Sequence, residues 1–94
     1  MIKFINEENE LTIYFEKDLT LLSLTYDDDF WSRVEQLSGK DIIIDFQHVN
    51  FIDSTGIEFL ANLVVQLKKK NVIRFYNTST YIKELIELSE LDLL

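Results

Sequence analysis

The sequence predicts an α/β fold: a mixed sheet of about four or five strands with helices mainly on one face. The prediction rests on three observations. Short stretches of alternating apolar and polar residues open the chain, and the central run 42–44 is continuous and β-branched. Apolar residues at helical spacing follow that run. Repeated strand-helix-strand units favour parallel neighbours with right-handed crossovers, so the predicted order is β-β-α-β-α-β-α.

The first part of the chain predicts two strands and one helix. Residues 2–4 and 11–15 alternate in polarity, which indicates a hairpin at an antiparallel edge of the sheet. Residues 16–26 fit either a strand or an irregular packed connection. The acidic run 27–29 places negative charge where a helix start favours it, and Gly39 is expected to end that helix in a left-handed conformation.

The second part predicts a central strand, a crossover helix, a further strand and a closing helix. The run 42–44 has the pattern of a strand covered on both faces. The crossover helix ends in three lysines, and Asn71 takes its helix-ending position. Residues 72–76 are rich in β-formers, and the polar cluster 77–80 precedes the closing helix. The apolar positions that define the two helices are Leu60, Leu63, Val64 and Leu67, and then Ile82, Leu85 and Ile86.

Length and charge restrict the classes of function. A chain of 94 residues predicts one domain over 1–94. The net charge of −8, from 17 acids against 9 bases, argues against nucleic acid and anionic lipid as partners. The apolar stretches are too short for membrane insertion, the first residues do not resemble a secretory signal, and there is no cysteine. We therefore expect a cytoplasmic protein.

No catalytic or metal site is predicted. A Ser-His-Asp arrangement would need His48 and Ser54 with Asp45 or Asp53, but the sequence has no nucleophile elbow to supply an oxyanion hole. The acids 27–29 stand in a row, without the loop spacing of a calcium site. With two glycines in the chain, no nucleotide-binding fingerprint can be written. We therefore expect no enzymatic activity, no metal and no cofactor.

The segment that carries the functional prediction is Asp53-Ser54-Thr55-Gly56-Ile57, at the start of the crossover helix. Before it, Val49, Phe51 and Ile52 are expected to anchor the connection in the core. Thr55 and Glu58 fit a capping box, in which the hydroxyl accepts from the backbone and the glutamate reaches back. A phosphate on Ser54 would lie where the helix dipole favours negative charge, so it could alter binding without unfolding the helix.

Two further features predict surfaces. Trp31, beside Phe30, fits either core packing or an exposed anchor for a partner. The apolar chain end, with Leu91, Leu93 and Leu94, either folds back onto the sheet or offers an apolar patch to a second copy, which would give a homodimer.

Strand, connection and motif 53–57 together resemble the STAS domain family, the fold of the bacterial anti-sigma factor antagonists. Asp45 matches the acid that closes the family's central strand, and Val49 and Phe51 match its apolar connection. The resemblance implies a protein-binding role for residues 53–57, with Ser54 phosphorylated by a partner kinase that is itself the anti-sigma factor. The unphosphorylated form would bind that kinase and free a sigma factor, and a serine phosphatase would reset the switch. Thr55 is the alternative acceptor.

The sequence also departs from the antagonist pattern. Antagonists commonly carry Gly-Glu-(apolar)-Asp after the second strand, whereas this chain has Lys17-Asp18-Leu19-Thr20. The turn after the motif helix has Asn71-Val72 in place of the family's glycine pair. An alternative within the same family is a STAS subunit of a lipid-transport ABC transporter complex, in which the same helix face packs on the transporter ATPase.

Overall fold

A computed structural model describes residues 1–91. It contains a four-stranded sheet and three helices in the predicted order β-β-α-β-α-β-α. The elements are β1 (Ile2–Glu7), β2 (Glu10–Phe15), α1 (Phe30–Gln36), β3 (Asp41–Asp45), α2 (Ser54–Lys68), β4 (Val72–Tyr76) and α3 (Thr80–Leu88).

The strands lie in the order β1-β2-β3-β4. The first two form an antiparallel hairpin in which Phe4 is opposite Ile13. β2, β3 and β4 are parallel, with Ile13, Ile44 and Phe75 in register. The carboxyl ends of these three strands therefore meet at one edge of the molecule, which is where loops of an open parallel sheet commonly form a site.

One face of the sheet carries the core. The apolar side chains of β2 and β3 on that face join those of all three helices in a single cluster. Burial on this scale is the main source of stability in a small domain. Every predicted apolar position of α2 and two of the three predicted for α3 are buried in this cluster, and the third, Leu85, is partly buried against it. The buried positions are Leu60, Leu63, Val64, Leu67, Ile82 and Ile86.

The central strand is buried on both faces, as its sequence pattern predicts. Ile42 and Ile44 belong to the core cluster, but Ile43 lies on the opposite face, in register with Thr12 and Arg74. Ile43 is nonetheless only 7% exposed. The continuous apolar run 42–44 therefore corresponds to a strand that is buried on both faces.

The connection 16–26 is irregular, with one point of sheet pairing. Leu19 forms an isolated parallel bridge with Ile52 and is fully buried. Leu21 and Leu22 are exposed. One leucine of this apolar run therefore anchors the connection in the core, while the two that follow lie on the surface.

The predicted helix ends shift by a few residues. α1 ends at Gln36 with Leu37 as its extended C-cap, so Gly39, at φ +68°, turns the chain after the helix instead of capping it. Asn71 lies beyond the C-cap residue Lys69 and acts through its side chain. Its Nδ2 donates to the carbonyl oxygens of Leu67 and Leu37, 3.0 Å away in each case.

The chain end is only partly described. Leu91 is buried in the core cluster, as folding back onto the domain predicts. Leu93 and Leu94 lie outside the described residues, and the homodimer stays a prediction. No helix within residues 1–91 has the length and apolar character needed to cross a membrane.

Candidate functional site

Asp53 caps α2, and the prediction that Thr55 does so with Glu58 is wrong. The helix begins at Ser54, and Oδ1 of Asp53 accepts a hydrogen bond of 2.9 Å from the backbone N–H of Gly56. An aspartate at the N-cap is among the strongest partners for the free donors of a first turn. Since the helix begins at Ser54, Thr55 falls inside its first turn and is not the cap. Glu58 is exposed.

The same carboxylate holds a second segment of chain. Oδ2 of Asp53 accepts from the backbone N–H of Leu21 at 2.9 Å, and the N–H of Asp53 donates to the carbonyl of Leu19 at 3.1 Å. The N–H of Leu19 donates in turn to the carbonyl of Phe51 at 3.1 Å. These bonds tie the loop after β2 to both sides of the motif, so the helix start and the loop form one unit.

Gly56 is required by this close association. A β-carbon at position 56 would collide with the backbone carbonyl of Leu19 and come within 2.8 Å of Cγ2 of Ile52. Gly56 itself is buried. The glycine of the motif therefore permits the contact between helix and loop, a steric role that does not depend on a positive φ.

Asp18 supports the segment before the motif. Its Oδ1 accepts hydrogen bonds from the backbone N–H groups of Asn50, at 2.7 Å, and Phe51, at 3.2 Å. Thr20 acts within its own turn, where Oγ1 accepts from the N–H of Ser23 at 3.2 Å. The stretch 17–20 that departs from the antagonist pattern thus binds this chain's own backbone. Sequence reasoning missed that role, because no local pattern relates Asp18 to a connection about thirty residues later.

Asp45 lies at the end of β3 and accepts two hydrogen bonds. Its Oδ1 accepts from the N–H of Gln47 at 2.9 Å and from Nδ2 of Asn77 at 3.0 Å. It therefore orders the turn after β3 and links it to the segment after β4. These loops frame the same edge of the sheet as the motif.

The residues of the motif differ in exposure. Ser54 is exposed, Asp53, Thr55 and Ile57 are half-buried, and Gly56 is buried. Within residues 1–91 the Ser54 hydroxyl makes no hydrogen bond. The structure therefore presents the serine to solvent on a helix start that other residues hold in place.

Exposed apolar side chains lie on the two segments that flank Ser54: the connection before the motif and the loop that is hydrogen-bonded to Asp53. Val49 and Ile52 are core anchors as predicted, but Phe51 is 51% exposed, so its predicted burial is wrong. Its ring stacks on that of Tyr81 with centroids 6.3 Å apart and planes 8° from parallel. Leu21 and Leu22, 71% and 95% exposed, follow the loop that Asp53 holds.

The structure gives no support to a catalytic arrangement. The ring of His48 meets that of Tyr14 edge to face at 5.5 Å. Within residues 1–91 it makes no hydrogen bond to Ser54, Asp45 or Asp53. In that part of the chain no three carboxylates or imidazoles are grouped to hold a metal, and Asp27 lies 3.9 Å from Arg33.

The Asp53 cap predicts a dependence of stability on pH. The backbone N–H of Leu21, followed by that of Gly56, lowers the pKa of Asp53 below its usual value. The ionised Asp53 carboxylate therefore stabilises the folded domain above pH 3.8, the usual pKa of an aspartate. This stabilisation is lost as the pH falls through the lower pKa of Asp53 in the folded state. We expect Asp53→Asn to destabilise the domain at neutral pH, with the difference from wild type closing in acid.

Urea unfolding of both proteins between pH 7 and pH 2 measures that difference. Glu84→Gln removes an exposed carboxylate on α3 and is the control. A stability difference between wild type and Asp53→Asn that stays constant down to pH 2 would contradict the role given to the ionised cap.

The fold and the motif agree with the comparison to known families. The STAS domain family matches residues 7–94. A comparison with curated proteins finds no match. The family match covers nearly all of the 94 residues and includes every element from β2 to α3. The chain therefore belongs to the STAS domain family.

Proposed function

We propose that this STAS domain is a protein-binding module whose binding is switched by phosphorylation of Ser54, as in anti-sigma factor antagonists. The observation that carries the proposal is the exposure of Ser54 beside a helix cap that does not use it. A kinase can reach the hydroxyl, and we expect the Asp53 cap to remain after modification because its hydrogen bond does not involve Ser54. The domain acts as a substrate and a ligand for other proteins, not as an enzyme.

The phosphate would change the surface without removing a structural contact. It adds about −1.5 to −2 charges near pH 7. The free N–H groups of the first turn and the helix dipole favour that charge on the folded domain. A partner that packs closely on the unmodified hydroxyl would instead meet a bulky, solvated anion beside Asp53, and would bind less tightly.

The surroundings of Ser54 suit a protein partner. Leu21, Leu22 and Phe51 are exposed apolar side chains around the motif, and apolar surface of this kind is typical of interaction sites. We propose that the partner is a kinase-type anti-sigma factor, which binds the unphosphorylated form in the cytoplasm, and that a serine phosphatase reverses the modification.

Incubation in an extract of the native cells with ATP tests the modification. We expect phosphopeptide mass spectrometry to find phosphate on Ser54 in wild type and none at that position in Ser54→Ala. Thr55→Val removes the second hydroxyl of the motif and so distinguishes phosphate on Thr55 from phosphate on Ser54. If neither hydroxyl is phosphorylated and a transporter ATPase co-purifies, the switching proposal fails, and the domain is a constitutive subunit of a lipid-transport ABC transporter.

Ser54→Asp tests the effect on binding. We expect it to weaken binding of the co-purifying partner by about tenfold or more, corresponding to about 1.4 kcal/mol, because a carboxylate replaces the hydroxyl at the contact. The circular dichroism spectrum should stay unchanged, since Asp53 still caps the helix. Ser38→Asp adds the same charge at an exposed position after α1, outside the motif, and is the control. Equal binding by both variants would contradict the switch.

A further inference from the structure

A second feature lies beside the motif and has no role in the proposed switch. It is an open cleft of about 400 Å³ between α1, α2 and the connection before α1. Thr55, one residue after Ser54, lies at its edge. Its walls combine aromatic rings with carboxylates and side-chain amides.

The aromatic wall is ordered by mutual packing. The ring of Phe59, 5% exposed, stacks with that of Tyr26 at a centroid distance of 5.5 Å and lies 5.6 Å from that of Trp31. The rings of Tyr26 and Trp31 meet edge to face at 6.2 Å. Tyr26 is 47% exposed and Trp31 is half-buried. Rings held against one another lose little further freedom when they accept a ligand.

The rim of the cleft is acidic. Glu35 of α1 and Glu58 of α2 both line it, and neither forms an ion pair within residues 1–91. Glu35 also lines a second cleft that contains Lys69 and Lys70, whereas Glu58 lies toward the Ser54 end. Glu58 should therefore contribute more to the attraction of a cation. Asn62 adds a side-chain amide whose oxygen can accept hydrogen bonds.

We propose that this cleft binds an arginine side chain of a basic protein partner. A guanidinium group stacks on aromatic faces and donates up to five hydrogen bonds in a planar fork that suits carboxylates. The cleft supplies both kinds of contact. A quaternary ammonium ion has no N–H group with which to use the acceptors. Charge complementarity favours a basic partner, because the chain carries a net charge of −8.

The fold already contains one contact of this kind. The guanidinium carbon of Arg33 lies 4.3 Å above the centre of the Phe4 ring. Arg33 is thereby occupied and does not line the cleft. An arginine from outside the chain would meet the same aromatic chemistry beside Glu35 and Glu58, which form no ion pair within residues 1–91.

The inference rests on the proposed protein-binding role but not on phosphorylation. A negative charge at Ser54 attracts a guanidinium, so the anchor in the cleft cannot be the contact that phosphorylation disrupts. The cleft would supply affinity and orientation in both states, while the surface around Ser54 supplies the switch. The two proposals therefore predict different effects of Ser54→Asp: weaker binding of the whole partner, but no loss of affinity for an isolated arginine peptide.

The test uses the acetylated and amidated tripeptide Gly-Arg-Gly, with Gly-citrulline-Gly as its neutral isostere. Nuclear magnetic resonance titration of the full chain follows the indole N–H of Trp31, the sole tryptophan, and the side-chain amide of Asn62. We expect saturable shifts of both signals with the arginine peptide and at least about tenfold weaker binding of the citrulline peptide.

Variants assign the binding to the cleft. Glu58→Gln should weaken the arginine peptide about threefold or more, and Glu84→Gln, outside the cleft, should not change its affinity. Ser54→Asp should leave its affinity equal or slightly higher, even though the same change weakens the whole partner. Equal binding of the two peptides, or no effect of Glu58→Gln, overturns the arginine site whatever the outcome at Ser54. Failure of Ser54 phosphorylation with intact peptide binding overturns the switch alone.

Discussion

Gly56→Ala is expected to lower the free energy of unfolding by about 2 kcal/mol, because alanine gains in helix propensity but loses more to a backbone collision. The new β-carbon would overlap the carbonyl of Leu19, and overpacking this severe costs about 3 kcal/mol. Alanine is the better helix former by about 1 kcal/mol, which offsets only part of that cost.

The expected fall in melting temperature is roughly 8 to 16 °C for a domain of this size. The collision must also separate the loop from the helix start. Hydrogen exchange should therefore be faster at the backbone N–H groups of Leu21 and Asp53, which donate to Asp53 Oδ2 and to the Leu19 carbonyl. We further expect weaker partner binding, because Leu21 and Ser54 would lose their relative placement.

Gly39→Ala is the matched control. Gly39 has a φ of +68°, and nothing lies within 4 Å of an added β-carbon. Its cost is therefore the backbone strain of a left-handed alanine, about 1 to 2 kcal/mol, reduced by the loss of unfolded-state freedom. Exchange at Leu21 should not change. If the two alanine variants lose equal stability and Gly56→Ala leaves that exchange unaltered, the close contact is not the reason for the glycine.

The element order could be predicted because each element has a local pattern. The run 42–44 and the helical spacing from Leu60 to Leu67 are visible in a short window, and the STAS family follows from them together with the motif. The local pattern does not determine the helix start, because Asp53 and Thr55 are both good capping residues. Which one caps depends on the path of the chain before the helix, and Asp53 prevails because Leu19 and Leu21 fix that path.

The segments of this chain that hydrogen-bond to the motif could not be predicted, because backbone hydrogen bonds across some thirty residues leave no side-chain pattern. Asp18 reads as one more acid in an acidic chain, yet it orders the connection to the motif. The cleft is a similar case. Tyr26, Trp31 and Phe59 come from three separate segments, and the sequence pattern favours core packing for Trp31 over an exposed anchor. In the structure Trp31 is half-buried against Phe59 and lines the cleft.

Phe59→Ala is expected to lower the free energy of unfolding by about 3 to 5 kcal/mol, because it leaves a cavity where the cleft wall joins the core. The Phe59 ring contacts the ring of Phe15 in the sheet, 6.3 Å between centroids, as well as those of Phe30 and Trp31. Chemical denaturation monitored by the fluorescence of Trp31 measures the change in both stability and local packing. Leu88→Ala, at an 82% exposed position on α3, should change stability by less than about 0.5 kcal/mol.

Comparison of Phe59→Ala with Glu58→Gln separates the support of the cleft from its recognition chemistry. Phe59→Ala should lower both stability and affinity for the arginine peptide, since Tyr26 and Trp31 lose the ring that orients them. Glu58→Gln should lower affinity alone, because the Glu58 side chain is exposed and unpaired within residues 1–91. A Phe59→Ala protein as stable as wild type would contradict the placement of this ring in the core. A loss of stability in Glu58→Gln would instead assign Glu58 a structural contact.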